Sequence, residues 1–230
     1  VTIDLTGQLP TEMEINQFES DLSINKRRKK VEMLLERAEF ADLWALRWAD
    51  LLRVDREPLG HERAFLYYQW IRQSLINNKP WDSFARELVS AEGPTQEIGP
   101  VHFYQAVKKP GDQAATISQV MLGVRITCAE CHHHPFDRWK QADYFGMTAF
   151  FSNSPVRHPR TQEVIQPYAL GTTMPDAPPT IIDKRILLAE WMTKPDNPYF
   201  ARNVANRTWA WLFGRGIVEP VDDVRATNPP

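Results

Sequence analysis

Two thiols and an imidazole fall within five residues, Cys128-Ala129-Glu130-Cys131-His132, and the run continues through His133, His134 and Pro135 to Phe136. Cys128 and Cys131 are the only cysteines in 230 residues. C-x-x-C-H is the attachment pattern for c-type haem. Each thiol can add across one haem vinyl group, and the histidine after the second cysteine is then held beneath the iron, where one ring nitrogen can ligate it. Its other ring nitrogen is expected to donate to a backbone carbonyl or a carboxylate, which fixes the tautomer. Two other chemistries share the pattern. A redox disulfide belongs near a βαβ pattern, which this sequence lacks. A structural zinc takes four ligands, usually from two separated pairs, and no second Cys/His pair sits elsewhere. The motif is therefore read as one covalently attached haem c, with Cys128 and Cys131 as anchors and His132 as the proximal iron ligand. His133 and His134 adjoin that ligand and cannot readily reach the opposite face of the same haem. They are read as solvated or hydrogen-bonded, the sharper alternative being that one ligates a haem in a neighbouring chain.

Two helices are expected to bracket the motif. Upstream, Asp112 can cap a helix whose Ile117, Val120, Met121 and Val124 share one face, with Gly123 near its end leaving room for a close approach. Downstream, Lys140 to Phe151 read as a helix with Tyr144, Met147 and Phe151 on one side. Pro135 biases His134 away from helical geometry, so a short helix carrying the motif should end there. Phe136, Trp139 and Tyr144 are the candidate walls of a haem pocket. From Ser154 to Thr180 the chain reads as irregular and proline-rich, and loops of that length are usually functional or disordered. This loop carries Met174, the first candidate for the distal iron ligand, in a setting like the methionine loop of small soluble cytochromes c. Thioether ligation would raise the reduction potential relative to a second imidazole. His158 and then His102 are next in order, and an empty position stays open.

The rest of the chain supplies scaffolding. Thr11 and Glu14 form a capping box opening a short helix with Ile15 and Phe18 inward. Lys26 to Lys30 open the next helix as a solvated basic face. Trp44, Trp48 and Leu51 make a core stripe at i, i+4, i+7. Glu62 to Asn77 read as a helix with Phe65, Tyr68 and Leu75 on its apolar side, ended by Asn78-Lys79-Pro80. Asp82 can cap a short helix through Phe84 and Leu88, and Glu92 to Pro110 read as a loop. Helix resumes at Asp183, with Ile186, Leu187 and Trp191, and Asn197-Pro198 read as an N-cap followed by proline at the first helical position, for a last helix ending at Gly214. The only strand candidates are Val1 to Leu5 and Val164-Ile165. The expected class is mainly α, an irregular multi-helix domain with long Pro-rich loops around one covalently attached haem. Strand should be less than about a tenth of the residues, against a usual share of roughly 20–25%.

Composition narrows the function classes. Apolar residues are 43% and charged residues 24%, with a formal net charge of −2, so neither nucleic acid nor an anionic membrane surface is indicated. No run of 18 apolar residues marks a membrane span. The chain opens on Val1-Thr2-Ile3-Asp4 with no signal-peptide pattern and stops at Thr227-Asn228-Pro229-Pro230. It is expected to be a mature or trimmed piece of a longer polypeptide.

These residues resemble the planctomycete-type cytochrome c domain followed by the start of its companion uncharacterised domain. The likeness is carried by Ile3-Asp4-Leu5-Thr6-Gly7 through Pro10-Thr11, and by Leu122-Gly123-Val124-Arg125 through the haem motif to Phe136-Asp137-Arg138-Trp139. It continues in Asp143-Tyr144-Phe145-Gly146, Ala149-Phe150-Phe151 and Pro159-Arg160-Thr161. The companion domain is resembled from Asp196-Asn197-Pro198-Tyr199-Phe200-Ala201-Arg202 to Phe213-Gly214-Arg215-Gly216 and Glu219-Pro220-Val221-Asp222-Asp223. The resemblance implies a haem-bearing domain over 1–179, a truncated helical second domain over 180–230, and a periplasmic or extracellular location. It supplies no reaction. The leading expectation is an extracytoplasmic monohaem electron carrier working with a redox partner protein or a neighbouring haem subunit. The alternatives are a haem enzyme or gas sensor with an open iron position, or a structural or interaction module in a larger assembly.

Overall fold

A computed structural model describes residues 1–176, 183–225 and 227–229. Among the described residues, helix with its 3₁₀ segments accounts for 57% and strand for 2%, so the expected mainly α, irregular multi-helix architecture holds. The helices are α1 (Thr2–Thr6), α2 (Glu12–Ser20), α3 (Lys26–Leu35), α4 (Ala38–Leu51), α5 (Arg56–Leu59), α6 (His61–Ile76) and α7 (Trp81–Val89). They continue with α8 (His102–Ala106), α9 (Pro110–Leu122), α10 (Gln141–Phe151), α11 (Lys184–Met192) and α12 (Phe200–Phe213). Two short 3₁₀ segments lie at Gly99–Val101 and Thr127–Glu130. A two-residue antiparallel ladder pairs β1 (Val156–Arg157) with β2 (Val164–Ile165).

Local chemistry sets many of the boundaries. At α2, the Thr11 hydroxyl accepts from the Glu14 N–H at 3.3 Å while the Glu14 carboxylate accepts from the Thr11 N–H at 2.9 Å, the reciprocal capping box. The Asp183 carboxylate accepts from the Arg185 N–H at 3.0 Å and starts α11. Asn197 accepts from the N–H groups of Tyr199 and Phe200, both at 3.0 Å, so α12 begins at Phe200, beyond the Asn-Pro pair. Proline opens α9 at its first position, where its missing N–H costs nothing. Asp112 therefore sits in the first turn and not at the cap. Asp82 likewise lies in the first turn of α7, behind Pro80.

Tertiary packing overrode several sequence expectations. Val1 to Leu5, a strand candidate, is helical because Leu5 turns inward onto Leu34 and Trp44, and the Trp44 indole donates to the Leu5 carbonyl at 3.2 Å. In α6 the period is right but the phase is one residue off. Ala64, Tyr67, Ile71 and Ser74 are buried, whereas Phe65 is exposed. Ile15 is exposed and α2 buries no residue; it is tied down by ions, with Glu14 bound to Lys30 at 2.8 Å and to Arg37. The segment read as a loop from Glu92 to Pro110 contains α8, which buries His102 and Phe103. In α11 the inward residues are Leu188, Ala189 and Met192, while Ile186 is exposed.

One hydrophobic core runs through the molecule. Trp48, Tyr67, Phe84, Phe103, Ile117, Met121 and Met147 share it with Leu188, Met192, Phe200 and Val204. α9 packs on α10 and α12, and α11 packs on α7 and α10. Residues on both sides of 177–182 thus bury the same apolar surface. The expected domain boundary between 179 and 180 lies outside the described residues.

Candidate functional site

The motif rides on a turn whose inner side is nailed to the core. Ile126 and Ala129 are fully buried, and the Ala129 N–H donates to the Ile126 carbonyl at 2.8 Å. With those two inward, Cys128 and Cys131 fall on the outer side, where both are exposed free thiols. The 3₁₀ turn stops at Glu130, earlier than Pro135 alone would require.

The three consecutive histidines have three different hydrogen-bond partners. His132 Nδ1 lies 2.6 Å from the His133 carbonyl oxygen. A carbonyl only accepts, so Nδ1 carries the proton and Nε2 keeps its lone pair. His133 Nδ1 instead accepts from the Gln141 N–H at 3.1 Å, and His134 Nδ1 accepts from the Phe136 N–H at 3.2 Å. In neutral His133 and His134 the proton is therefore on Nε2. While these bonds hold, His132 is the one of the three whose Nε2 can ligate a metal.

Gln141, the first residue of α10, joins the motif to the scaffold. Its backbone N–H binds His133, and its buried side-chain amide donates to the Glu130 carbonyl at 2.8 Å. No motif in the sequence marks Gln141 for this part. The available signal was general: first-turn N–H groups of a helix need outside acceptors, and the nearest candidates upstream are the histidines. Asp143 accepts from the Lys140 N–H at 2.7 Å and from the Tyr168 hydroxyl at 3.2 Å, fixing the same end of α10.

The candidate pocket residues separate into two places. The His134 N–H donates to the Trp139 carbonyl at 2.8 Å, closing a small loop. Trp139 is buried at its base, while Phe136 is 71% exposed. Both line a cavity of about 1310 Å³, which is completed by Tyr199, Arg202, Ile217 and Val224 among others. Tyr144 is buried elsewhere, against a cavity of about 590 Å³ that it shares with Thr127 and Asp112. Burial pushes its phenol up to about 12, with Glu130 and Asp112 adding to the shift.

Family comparison assigns the chain. The family model PSCyt2, described as a protein of unknown function (DUF1549), matches residues 1–156. The chain belongs to the PSCyt2 family. A second model, PSD1, also described as a protein of unknown function (DUF1553), matches residues 184–230. Neither a curated protein nor a solved structure matches the chain. The two matches agree with the resemblance to a cytochrome-type domain and its companion.

The residues of the PSCyt2 segment fit a covalent haem. They offer two reachable thiols on one turn and an imidazole with a free Nε2 beside them; the large cavity is lined from Pro135 onward and by none of Cys128, Cys131 and His132. Trp139 of this segment and Arg225 of the PSD1 segment line that cavity, and each keeps a buried nitrogen, Nε1 and Nε, without a hydrogen-bond partner. Among the described residues no three His, Cys, Asp or Glu side chains gather as a metal-binding group, so a preformed four-ligand zinc site has no counterpart there. Met174 is 50% exposed and does not line the large cavity. His158 Nδ1 accepts from the N–H groups of Arg160 and Thr161, both at 3.3 Å. His102 is fully buried with Nδ1 3.0 Å from the Gln105 side-chain oxygen. Among the described residues no helix is long and apolar enough to cross a membrane.

Proposed function

We propose that the chain is an extracytoplasmic monohaem c-type cytochrome module that passes single electrons, exchanging them with a redox partner protein or a neighbouring haem subunit. The observation that carries this reading is the His132 tautomer: Nδ1–H held by a carbonyl, Nε2 free, next to two exposed thiols. Haem bound there would supply a one-electron iron couple whose potential is tuned by axial ligation, burial and nearby charge. In this reading Cys128 and Cys131 anchor, Ala129 and Ile126 hold the turn rigid, and Gln141 fixes the loop that orients His132. Met174 is proposed as the distal ligand. Thioether formation outside the cytoplasmic membrane requires export of the chain.

Optical spectra of the ferric and ferrous protein, with and without carbon monoxide, test the reading. The expected result is a low-spin spectrum insensitive to carbon monoxide, with a methionine–iron charge-transfer band that disappears in Met174→Ala together with a fall in potential. Rapid carbon monoxide binding by the wild type would instead support an enzyme or sensor with an open iron position. A spectrum without any haem band would remove both.

A further inference from the structure

We infer that the turn between α2 and α3 is a membrane-surface contact: Leu22 and Ile24 enter the interface of a lipid bilayer, and the cations that follow them meet anionic headgroups. Neither the haem nor the cysteine motif takes part in it.

Leu22 is 95% exposed and Ile24 is 97% exposed, more than any other large apolar side chain among the described residues. Folding gives neither of them anything to pack on, so water stays against almost their whole surface, a cost that burial would remove. Single exposed apolar residues are ordinary. Two at near-complete exposure, one residue apart on the short turn from Asp21 to Asn25, make a projecting tip. A protein partner would need a hollow shaped to that tip, whereas the interface of a fluid bilayer yields to it.

Charge names the kind of bilayer. Between Leu22 and Val31 the chain holds Lys26, Arg27, Arg28, Lys29 and Lys30 and no acid. All five open α3, whose first turn contains no acidic residue. The positive end of a helix disfavours cations, so the cluster is self-repelling until an anionic surface approaches. Three of the five are already engaged. Lys26 donates to the Phe18 carbonyl at 3.0 Å, while Arg28 pairs with Glu32 and Lys30 with Glu14, both at 2.8 Å. Arg27 and Lys29 are exposed and have no hydrogen bond from their side chains among the described residues. Against them stand Asp21, whose carboxylate accepts from the Ser23 N–H at 2.8 Å, and Glu19, which lines a cavity of about 370 Å³ with Arg27. The chain's net charge of −2 averages this cluster away. Apolar side chains flanked by Lys and Arg suit a segment that lies on a membrane without spanning it, and basic runs are drawn to anionic lipid.

The test floats the full chain with vesicles of phosphatidylglycerol mixed into phosphatidylcholine, and with vesicles of phosphatidylcholine alone. Four proteins are compared: the wild type, Leu22→Ser with Ile24→Ser, Arg27→Gln with Lys29→Gln, and Phe65→Ser, which removes an exposed apolar side chain on α6. The wild type should bind the anionic vesicles, come off them as salt is raised, and bind the neutral ones far more weakly. Losing both free cations should weaken partition about 25-fold, at roughly fivefold for each charge near the surface. Losing the apolar pair should weaken it by more than about tenfold. Phe65→Ser should bind as the wild type does. Every substituted position is exposed, so the variants should keep the wild-type urea midpoint, and one that keeps it but loses binding has lost the contact alone. The result should be the same with and without attached haem, which separates it from the c-type reading. No vesicle binding, equal binding to both kinds of vesicle, or binding that survives both double substitutions would overturn the inference. A dimer in solution that Leu22→Ser with Ile24→Ser abolishes, without vesicle binding, would give the tip to a second copy of the chain and overturn it as well.

Discussion

At the scale of single residues, the site is a sorting of three adjacent imidazoles by what each meets. His132 donates to a carbonyl, whereas His133 and His134 accept from backbone N–H groups. The first role was legible from C-x-x-C-H alone, since the chemistry is written in the spacing. That His133 and His134 would be solvated or hydrogen-bonded was expected too, but not which N–H groups they meet, because that depends on where the α10 N-terminus and the loop to Trp139 come to lie. The roles separate by mutation. His133→Ala removes the acceptor for the first N–H of α10 and should cost the apoprotein about 1 kcal/mol, the usual loss for a helix cap. His132→Ala, at an exposed position, should stay within about 0.5 kcal/mol of the wild type yet lose iron ligation. Urea unfolding of the two apoproteins, set beside the spectra of the haem-loaded variants, checks the pair; equal destabilisation by both would contradict it.

At the scale of elements, starts and stops written in local chemistry were legible: the Thr11 box, Asp183, and Gly214 at the end of α12. Burial phase was not, because it is set by partners distant in sequence. Phe65 and Tyr67 are equally good apolar residues, and only the neighbouring helices decide which turns inward. Gly123 shows both kinds of information at once. Its place near the end of α9 implied a close approach, and α12 and the segment after it supply it: Asn203 donates to the Val120 carbonyl at 2.7 Å, and the Gly123 carbonyl accepts from the Val224 N–H at 2.7 Å. Gly123 has φ of 67°, and a Cβ there would stand 2.6 Å from Asn203 Oδ1. Gly123→Ala should therefore destabilise by about 1–3 kcal/mol, the range for a strained left-handed residue. The change is read as a lower denaturant midpoint at unchanged slope; an unchanged midpoint would show that the α9–α12 junction yields freely.

At the scale of the molecule, the PSCyt2 and PSD1 segments behave as one body. They share a core, and Asp222 reaches back to accept from Gln119 and Arg125. Burial alone would raise the Asp222 carboxyl, but the Gln119 and Arg125 hydrogen bonds, together with the charges of Arg125 and Arg207, outweigh it and hold the group below its ordinary value of 3.8. A depressed carboxylate stabilises the fold fully above its unfolded-state value, and that contribution is lost as pH falls through the lowered one. Urea midpoints should accordingly fall below pH 3.8 more steeply in the wild type than in Asp222→Asn. Identical acid limbs would mean that the clasp carries no stability. The sequence resemblance divided the chain in two; that its second part buries the first could not be read without the packing of α11 and α12. Covalent attachment of haem is tested most directly by the mass of the acid-extracted, denatured chain. One haem retained per chain, lost in Cys128→Ala, Cys131→Ala double substitution, is the predicted result; a haem-free chain with two free thiols or a Cys128–Cys131 disulfide would contradict it.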